Sequence, residues 1–260
     1  MLISTRRALL AGAASSLALG LAGCNTTQPQ PVQPAVPAPT NRRGAKPTPA
    51  KPEASADELQ YQALYAPVAG EKFPVNAIPP RTVPQEFWRA EIDYRSGEAP
   101  GTIVIDPKAH YLYYILSNGK AMRYGVGVGR EGFAWSGAAT INSKQEWPDW
   151  YPPIEMIERQ PDLKKQTQKL QSGIGVAGGP RNPLGARAMY LWQNNKDTLF
   201  RIHGTLEPAS IGKSVSSGCI RMVNQDVIDL YKRVAIGTKV VVLGNAVPAN
   251  AKIAAAARRG

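Results

Sequence analysis

Thr102-Ile103-Val104-Ile105, Tyr111-Leu112-Tyr113-Tyr114-Ile115-Leu116, Ser117-Asn118-Gly119-Lys120 and the run from Ala121 to Val128 decide the fold of this chain. The first two are β-branched and aromatic runs bounded by turn residues, which is the composition of strands. Asn118-Gly119 tolerates the positive φ angles of a tight hairpin turn, so Ala121 to Val128 returns as the next strand. A β-meander therefore opens a mainly β domain. Phe87 to Tyr94 alternates roughly ahead of it, and Ala188 to Trp192, Leu199 to His203 and Lys239 to Leu243 supply later strands. Val227, Ile228, Leu230, Tyr231 and Val234 have the spacing of a short amphipathic helix over Asp226 to Val234.

Gly127-Val128-Gly129-Arg130-Glu131-Gly132 satisfies the dinucleotide-binding pattern G-x-G-x-x-G. That pattern needs a helix directly after it, to offer the pyrophosphate a helix N-terminus, and here another strand-like stretch follows Phe133 to Gly137. It is therefore expected to be a glycine-rich turn at a strand end. Glu146 to Pro153 carries prolines that remove donors and fix the backbone, so it is expected to be an aromatic surface loop. Pro153 to Gln171 has helical spacing and many charges. It either walls one side of a cleft or presents a solvated face.

N-terminal to the meander the chain changes character. Arg6-Arg7 followed by the apolar run Ala8 to Ala22 and the box Leu21-Ala22-Gly23-Cys24 is the pattern of a lipoprotein signal peptide, with Cys24 the lipidated residue. The apolar run is too short for a spanning helix, which needs roughly 20 residues. Ser4 to Leu10 also resembles a twin-arginine export signal, so the export route stays open. Asn25 to Glu53 holds eight prolines and almost no large apolar residue, and reads as a disordered tether. The expected organisation is a signal peptide over 1–23, a lipidated linker over 24–56, a lead-in over 57–100, a catalytic domain over 101–244 and an Ala-rich basic tail over 245–260.

The formal charge is +12, from 31 Lys and Arg against 19 Asp and Glu. Removing the signal takes two arginines and no acid, leaving 29 against 19, or +10. Such a surface suits an acidic partner, either anionic lipid or a carboxylate-rich peptide. No zinc-finger spacing or RNA-recognition signature accompanies the charge, so no nucleic acid is expected as partner. One free cysteine and two histidines, with scattered acids, do not compose a metal-ligand cluster, and no cofactor or metal is expected.

With Cys24 assigned to lipidation, Cys219 has no disulfide partner. It sits in Ser216-Ser217-Gly218-Cys219-Ile220-Arg221, 16 residues after His203. A cysteine attacks as thiolate, and an imidazole can take its proton and stabilise the charge. Gly218 lets a reacting carbonyl approach, and amide N–H groups of the turn it shares with Ser216 and Ser217 are candidate oxyanion donors. Arg221, two residues on, would share the face of Cys219 and could clamp a carboxylate. The competing reading is a core cysteine with a hydrogen-bonded histidine. His110 lies at a turn before a strand and is expected to be structural or exposed.

The segment from His203 to Tyr231, with Ile202-His203-Gly204-Thr205, Ile211-Gly212, Ser216 to Met222, Asp226 and Leu230-Tyr231, resembles the signature of the YkuD-type L,D-transpeptidases. Tyr124 to Gly129, Phe133 to Gly137, Trp147-Pro148 and Asn182 to Arg187 resemble its periplasmic branch, and the likeness covers roughly 101–244. The one departure is Ser217, where many members have histidine. The resemblance implies a YkuD-like β-sandwich catalytic domain. In it Cys219 attacks the carbonyl at the L-centre of diaminopimelate in a peptidoglycan stem peptide, releasing D-alanine. An amine then resolves the thioester, giving a 3-3 cross-link or attaching a wall-anchored outer-membrane protein. The resemblance further makes His203 base and then acid, and assigns its orientation to the carbonyl of Gly204. A bacterial periplasmic location follows, with a lipid anchor in a membrane, the outer one favoured. Two rivals stand beside it: hydrolysis of the same thioester, and a non-catalytic wall-binding lipoprotein.

Overall fold

The computed structural model describes residues 54–129, 136–216 and 218–244. The expectations for the signal peptide, Cys24, most of the linker, the basic tail, Phe133 and Ser217 lie outside these residues.

Helix α1 (Ala56–Leu64) opens the described chain. Ser55 and Glu58 form a capping box, each side chain bonding the other's backbone N–H, which satisfies two donors that a helix start leaves orphaned. The meander follows as β1 (Ala90–Asp93), β2 (Ile103–Asp106), β3 (Tyr111–Ile115) and β4 (Lys120–Gly125), with a two-residue β5 (Val128–Gly129) after it. Asn118 and Gly119 have φ of 60° and 71°, the left-handed pair that the hairpin needs. Next come the long β6 (Gly137–Glu146) and two short helices, α2 (Ile154–Arg159) and α3 (Pro161–Gln166). The helical excursion is thus real, but Pro161 ends one helix and starts another, and its tail turns back as the hairpin β7 (Gln168–Leu170) and β8 (Gly173–Gly175). Strands β9 (Arg187–Gln193), β10 (Lys196–His203), β11 (Ser214–Ser216) and β12 (Ile220–Arg221), then α4 (Asn224–Arg233) and β13 (Lys239–Val242), complete the order.

Nine strands form one mixed sheet in the order β1-β4-β3-β2-β13-β6-β9-β10-β12. The mainly β expectation is met. Only β13 with β2 and β10 with β12 run parallel in it. The last strand inserts between β2 and β6, joining the meander to the half that carries the cysteine motif.

Alternation along each strand sorts the two faces. Ile103, Ile105, Leu112, Tyr124, Ile141, Met189, Leu191, Ile202, Ile220 and Val240 face one core, which α4 covers with Val227, Leu230 and Val234. On the other face of the meander, Val104, Tyr111, Tyr113 and Ile115 make a second cluster. The residues that alternate with Met189, Ile202 and Ile220 are Tyr190, Arg201, His203 and Arg221. They fall on the face away from α4, and there the site is built.

The lead-in packs onto this sheet. Tyr61, Tyr65, Ile78 and Val83 form one cluster with Ile211 and Val223, and Val75 another with Trp147, Ala186 and Ile228. Gln225 donates to the carbonyls of Ala66 and Asn76 at 3.1 and 2.9 Å. Trp147 corrects the surface-loop expectation: it is only 7% exposed, because its indole fills the space under the lead-in and its Nε1–H donates to Glu71 at 3.0 Å.

Candidate active site

Parallel pairing of β10 with β12 matches Ile202 to Ile220 and His203 to Arg221. One residue back along that register Cys219 lies opposite Arg201, and a backbone hydrogen bond from Arg201 reaches its thiol. Cys219, Arg201, His203 and Arg221 therefore share a face. With strands about 4.8 Å apart and a rise of about 3.3 Å per residue, the backbones of Cys219 and His203 are diagonal neighbours roughly 8 Å apart, within reach of two side chains. The electrostatics agree, since the guanidinium groups of Arg201 and Arg221 act on both the thiol and the imidazole.

His203 is buried, and its Nδ1–H donates to the carbonyl of Gly204. A carbonyl only accepts, so this bond places the proton on Nδ1 and leaves Nε2 as the acceptor. Burial pulls the imidazole down to about 4 against the support of that carbonyl, and the two arginines push the same way. Burial likewise raises the Cys219 thiol, while the Arg201 backbone donor and the arginine charges oppose the rise. At neutral pH the resting pair is thiol and neutral imidazole. Such a pair could pass its proton as the sulfur attacks a carbonyl, with the Arg201 amide and the Arg221 charge opposing the cost of the thiolate; the Arg201 guanidinium is itself bonded to Asp197 at 2.8 and 2.9 Å.

The turn before Cys219 is stapled by Ser216, whose hydroxyl donates to the Cys219 carbonyl at 2.7 Å and accepts from the Gly218 N–H at 3.2 Å. In this structure the Gly218 amide is thus engaged within the turn. Gly218 has φ of 124°, and a Cβ there would sit 2.8 Å from the Phe200 ring. Only glycine fits both demands. Behind it, β5 pairs with β11, and a Cβ on Gly129 would lie 2.9 Å from the Gly218 Cα. This accounts for the G-x-G start of the nucleotide-like pattern: Gly127 and Gly129 let a strand press against Ser210 and the cysteine turn. Arg221 pairs with exposed Glu207 at 3.0 Å. His110, with φ of 58°, reaches the Ser214 hydroxyl at 3.1 Å and stands apart from the shared face.

Three groups beside the site escape a reading of the sequence. Tyr190 faces Arg201 across β9 and β10, with the guanidinium 4.6 Å from its ring centre, and Asp149 and Tyr151 lie near enough to bias its hydroxyl. The loop after β6 thereby lies beside the site on the β9 side, whereas α2 buries no residue and α3 only Leu163, so the excursion presents a mostly solvated face. Arg187, 5% exposed, makes two bonds to Glu71 of the lead-in, at 2.7 and 2.8 Å. Asn224 bridges the turns on either side of Gly204, bonding Ala186 N–H and Thr205 O.

Fold and site together are a mostly β domain with a cysteine and a histidine on one face of its sheet. The family model described as the L,D-transpeptidase catalytic domain, YkuD, matches residues 100–242, and the chain belongs to that family. It is similar to the probable L,D-transpeptidase ErfK/SrfK of Escherichia coli K12, 31% identical over 148 residues that cover 54% of this chain and 43% of that protein. It is also similar to the probable L,D-transpeptidase YbiS of Escherichia coli K12, 28% identical over 144 residues, with 54% and 43% covered. A solved structure from Brucella melitensis, described as a probable carnitine operon oxidoreductase, is 50% identical. It covers 62% of this chain and 97% of that one, with a TM-score of 0.40, and the oxidoreductase description is that protein's own. The likeness spans less than half the length of the two Escherichia coli relatives.

Proposed function

We propose that this protein is a peptidoglycan L,D-transpeptidase. The observation that carries the reading is the register of β10 and β12, which sets Cys219 and His203 on one face, together with the His203 Nδ1–H bond that leaves Nε2 free to act as base. Cys219 Sγ attacks the carbonyl of the L-centre of a stem-peptide diaminopimelate while its proton passes to His203 Nε2. The tetrahedral oxyanion collapses, the C–N bond to terminal D-alanine breaks, and the imidazolium gives its proton to the leaving amine. An acceptor amine then loses a proton to Nε2 as it attacks the thioester, and the thiol is restored. Arg221, whose partner Glu207 is exposed, supplies positive charge for a stem-peptide carboxylate, while Arg201 is held by Asp197 at 2.8 and 2.9 Å. Lipidation at Cys24 and a periplasmic location belong to the same proposal, on the signal-like sequence alone. Incorporation of labelled palmitate that survives Cys24→Ala would remove the anchor.

Disaccharide-tetrapeptide incubated with the purified protein and with Cys219→Ala, followed by mass spectrometry, tests the activity. Cysteine-dependent dimers with loss of D-alanine are expected. Tripeptide without dimer would replace transfer with hydrolysis, and no change with folded protein would leave a wall-binding module.

A further inference from the structure

Helix α4 starts on a residue that does little for the helix. Its N-cap is Val223, whose side chain offers no cap hydrogen bond, although Asn, a strong capping type, stands one position later. Asn224 turns elsewhere. Its Oδ1 accepts from the Ala186 N–H at 2.9 Å and its Nδ2 donates to the Thr205 carbonyl at 3.3 Å. One partner can only donate and the other can only accept, so the orientation of the amide is fixed by chemistry.

The carboxamide is wedged between Gly185 and Gly204. A Cβ on either glycine would collide with Asn224 Oδ1, and the two glycine backbones also touch each other. Gly204 is the residue whose carbonyl holds His203 Nδ1–H. The peptide ahead of that carbonyl is tied by the Gly204 N–H to Arg187 O at 3.0 Å, and the strand behind by Met222 N–H to His203 O at 2.8 Å. On the far side Thr205 is held by Asn224 Nδ2 on its carbonyl at 3.3 Å and by the Glu207 N–H on its hydroxyl at 3.0 Å. Loss of the Asn224 bonds would remove a restraint on Thr205 and on Ala186 and let the Gly204–Thr205 peptide shift, taking its carbonyl out of line with the imidazole.

We propose that Asn224 is a positioning residue for the general base, fixing the Gly204 carbonyl and through it the Nδ1–H tautomer of His203. It touches neither substrate nor thiol, and the inference rests on the reading of His203 as base. Two glycines, one on each side of the amide, make room for the wedge, and Gly185 is favoured in addition by its φ of 65°.

The chain has two histidines, so its [15N]histidine ring spectrum contains two imidazoles, and His110→Asn, which tolerates the positive φ at that position, assigns them. In the parent protein His203 is expected to show a protonated Nδ1 and an unprotonated Nε2 at pH 7. Asn224→Ala removes both bonds. Asn224→Asp keeps the acceptor for Ala186 and sets an acceptor against the Thr205 carbonyl. Both variants are expected to give a mixed or reversed His203 tautomer. The rate of Cys219 acylation by a β-lactam should fall about 10- to 100-fold, by analogy with the loss of an outer partner of a metal-bound histidine. A ring spectrum identical to the parent's in either folded variant would overturn the proposal, as would a tautomer change that leaves the acylation rate intact. If Asn224→Ala does not fold, the Asp variant decides. Should the parent protein not be acylated at all, the functional reading falls while the tautomer comparison still judges the role of Asn224.

Discussion

Glu71 is the residue at which the lead-in segment is most exposed to attack by mutation. It lies 116 residues from Arg187, yet the two side chains are 10% and 6% exposed and pair through bonds of 2.7 and 2.8 Å. Trp147 Nε1–H adds a third bond to the same carboxylate at 3.0 Å. Glu71→Ala would leave the guanidinium with the Ala186 carbonyl and, at 3.8 Å, the mostly exposed Glu146. Arg187 Nε has no partner even in the parent. Removing one member of a buried pair strands the other charge and costs about 3–5 kcal/mol. For a domain of this size each kcal/mol moves Tm by about 2–4 °C, so a fall of about 6–20 °C is expected. Glu71→Gln keeps the shape and an acceptor and should lose about half as much. Burial alone would raise the Glu71 carboxyl, but the bonds and charge of Arg187, with the Trp147 donor, bring it below its ordinary 4.5. A lowered folded value means that the stabilisation is present above about 4.5 and is lost as pH falls through the folded value. The gap between parent and Glu71→Gln should therefore close on acidification. Urea denaturation across pH 3 to 7 reads both effects. A Glu71→Ala loss under about 1 kcal/mol, or a gap that widens in acid, would refute the claim that this pair clamps the lead-in to the sheet.

Asp226, 1% exposed with Oδ1 lacking a hydrogen bond, is pushed up to about 7 by burial, against Arg89 at 3.4 Å. A raised folded value destabilises the protein as pH rises from about 4 to about 7, so Asp226→Asn should gain on the parent over that range and hold its gain above it; equal denaturation midpoints at pH 5 and 8 would contradict this. With His203 near 4, the second-order rate of β-lactam acylation of Cys219 should stay level from pH 8 down to about 5 and fall below that; an acid limb centred at 6.5 would mean the imidazole is not desolvated. Gly129→Ala sets a Cβ 2.9 Å from the Gly218 Cα, so activity should drop at least tenfold with about 1–3 kcal/mol of stability, as followed by acylation kinetics and urea melts; unchanged kinetics would show that the turn yields freely.

Much of the site was legible because its chemistry is carried by scarce residue types close together in the chain. Two histidines, one cysteine outside the signal-like stretch and a glycine before it left few pairings to consider. Period-2 alternation placed Cys219 and Arg221 on one face of a strand, and the β10–β12 pairing brought His203 to that face. The meander was equally plain, since Asn118-Gly119 fixes its hairpin locally. What stayed hidden depends on distant contacts. Nothing around Glu71 announces a partner at Arg187, and Trp147 sits among prolines that say loop without saying which side of it is buried. The helix expected from Asp226 leaves Asn224 outside it and without a role; only the shape of Gly185 and Gly204 around its amide shows what it holds. The insertion of β13 between β2 and β6 follows from neither strand's composition.

A resting centre that carries no charge also has a chemical shelf life. Peroxides and soft alkylating agents react with thiolates, and a thiol held protonated by burial gives them little to attack. Cys219 is therefore expected to resist oxidation to sulfenic acid while no substrate is bound. On the proposed mechanism, reactivity is released when an acyl group arrives in line with His203 Nε2. Inhibitors that carry their own carbonyl should therefore discriminate strongly over simple thiol reagents.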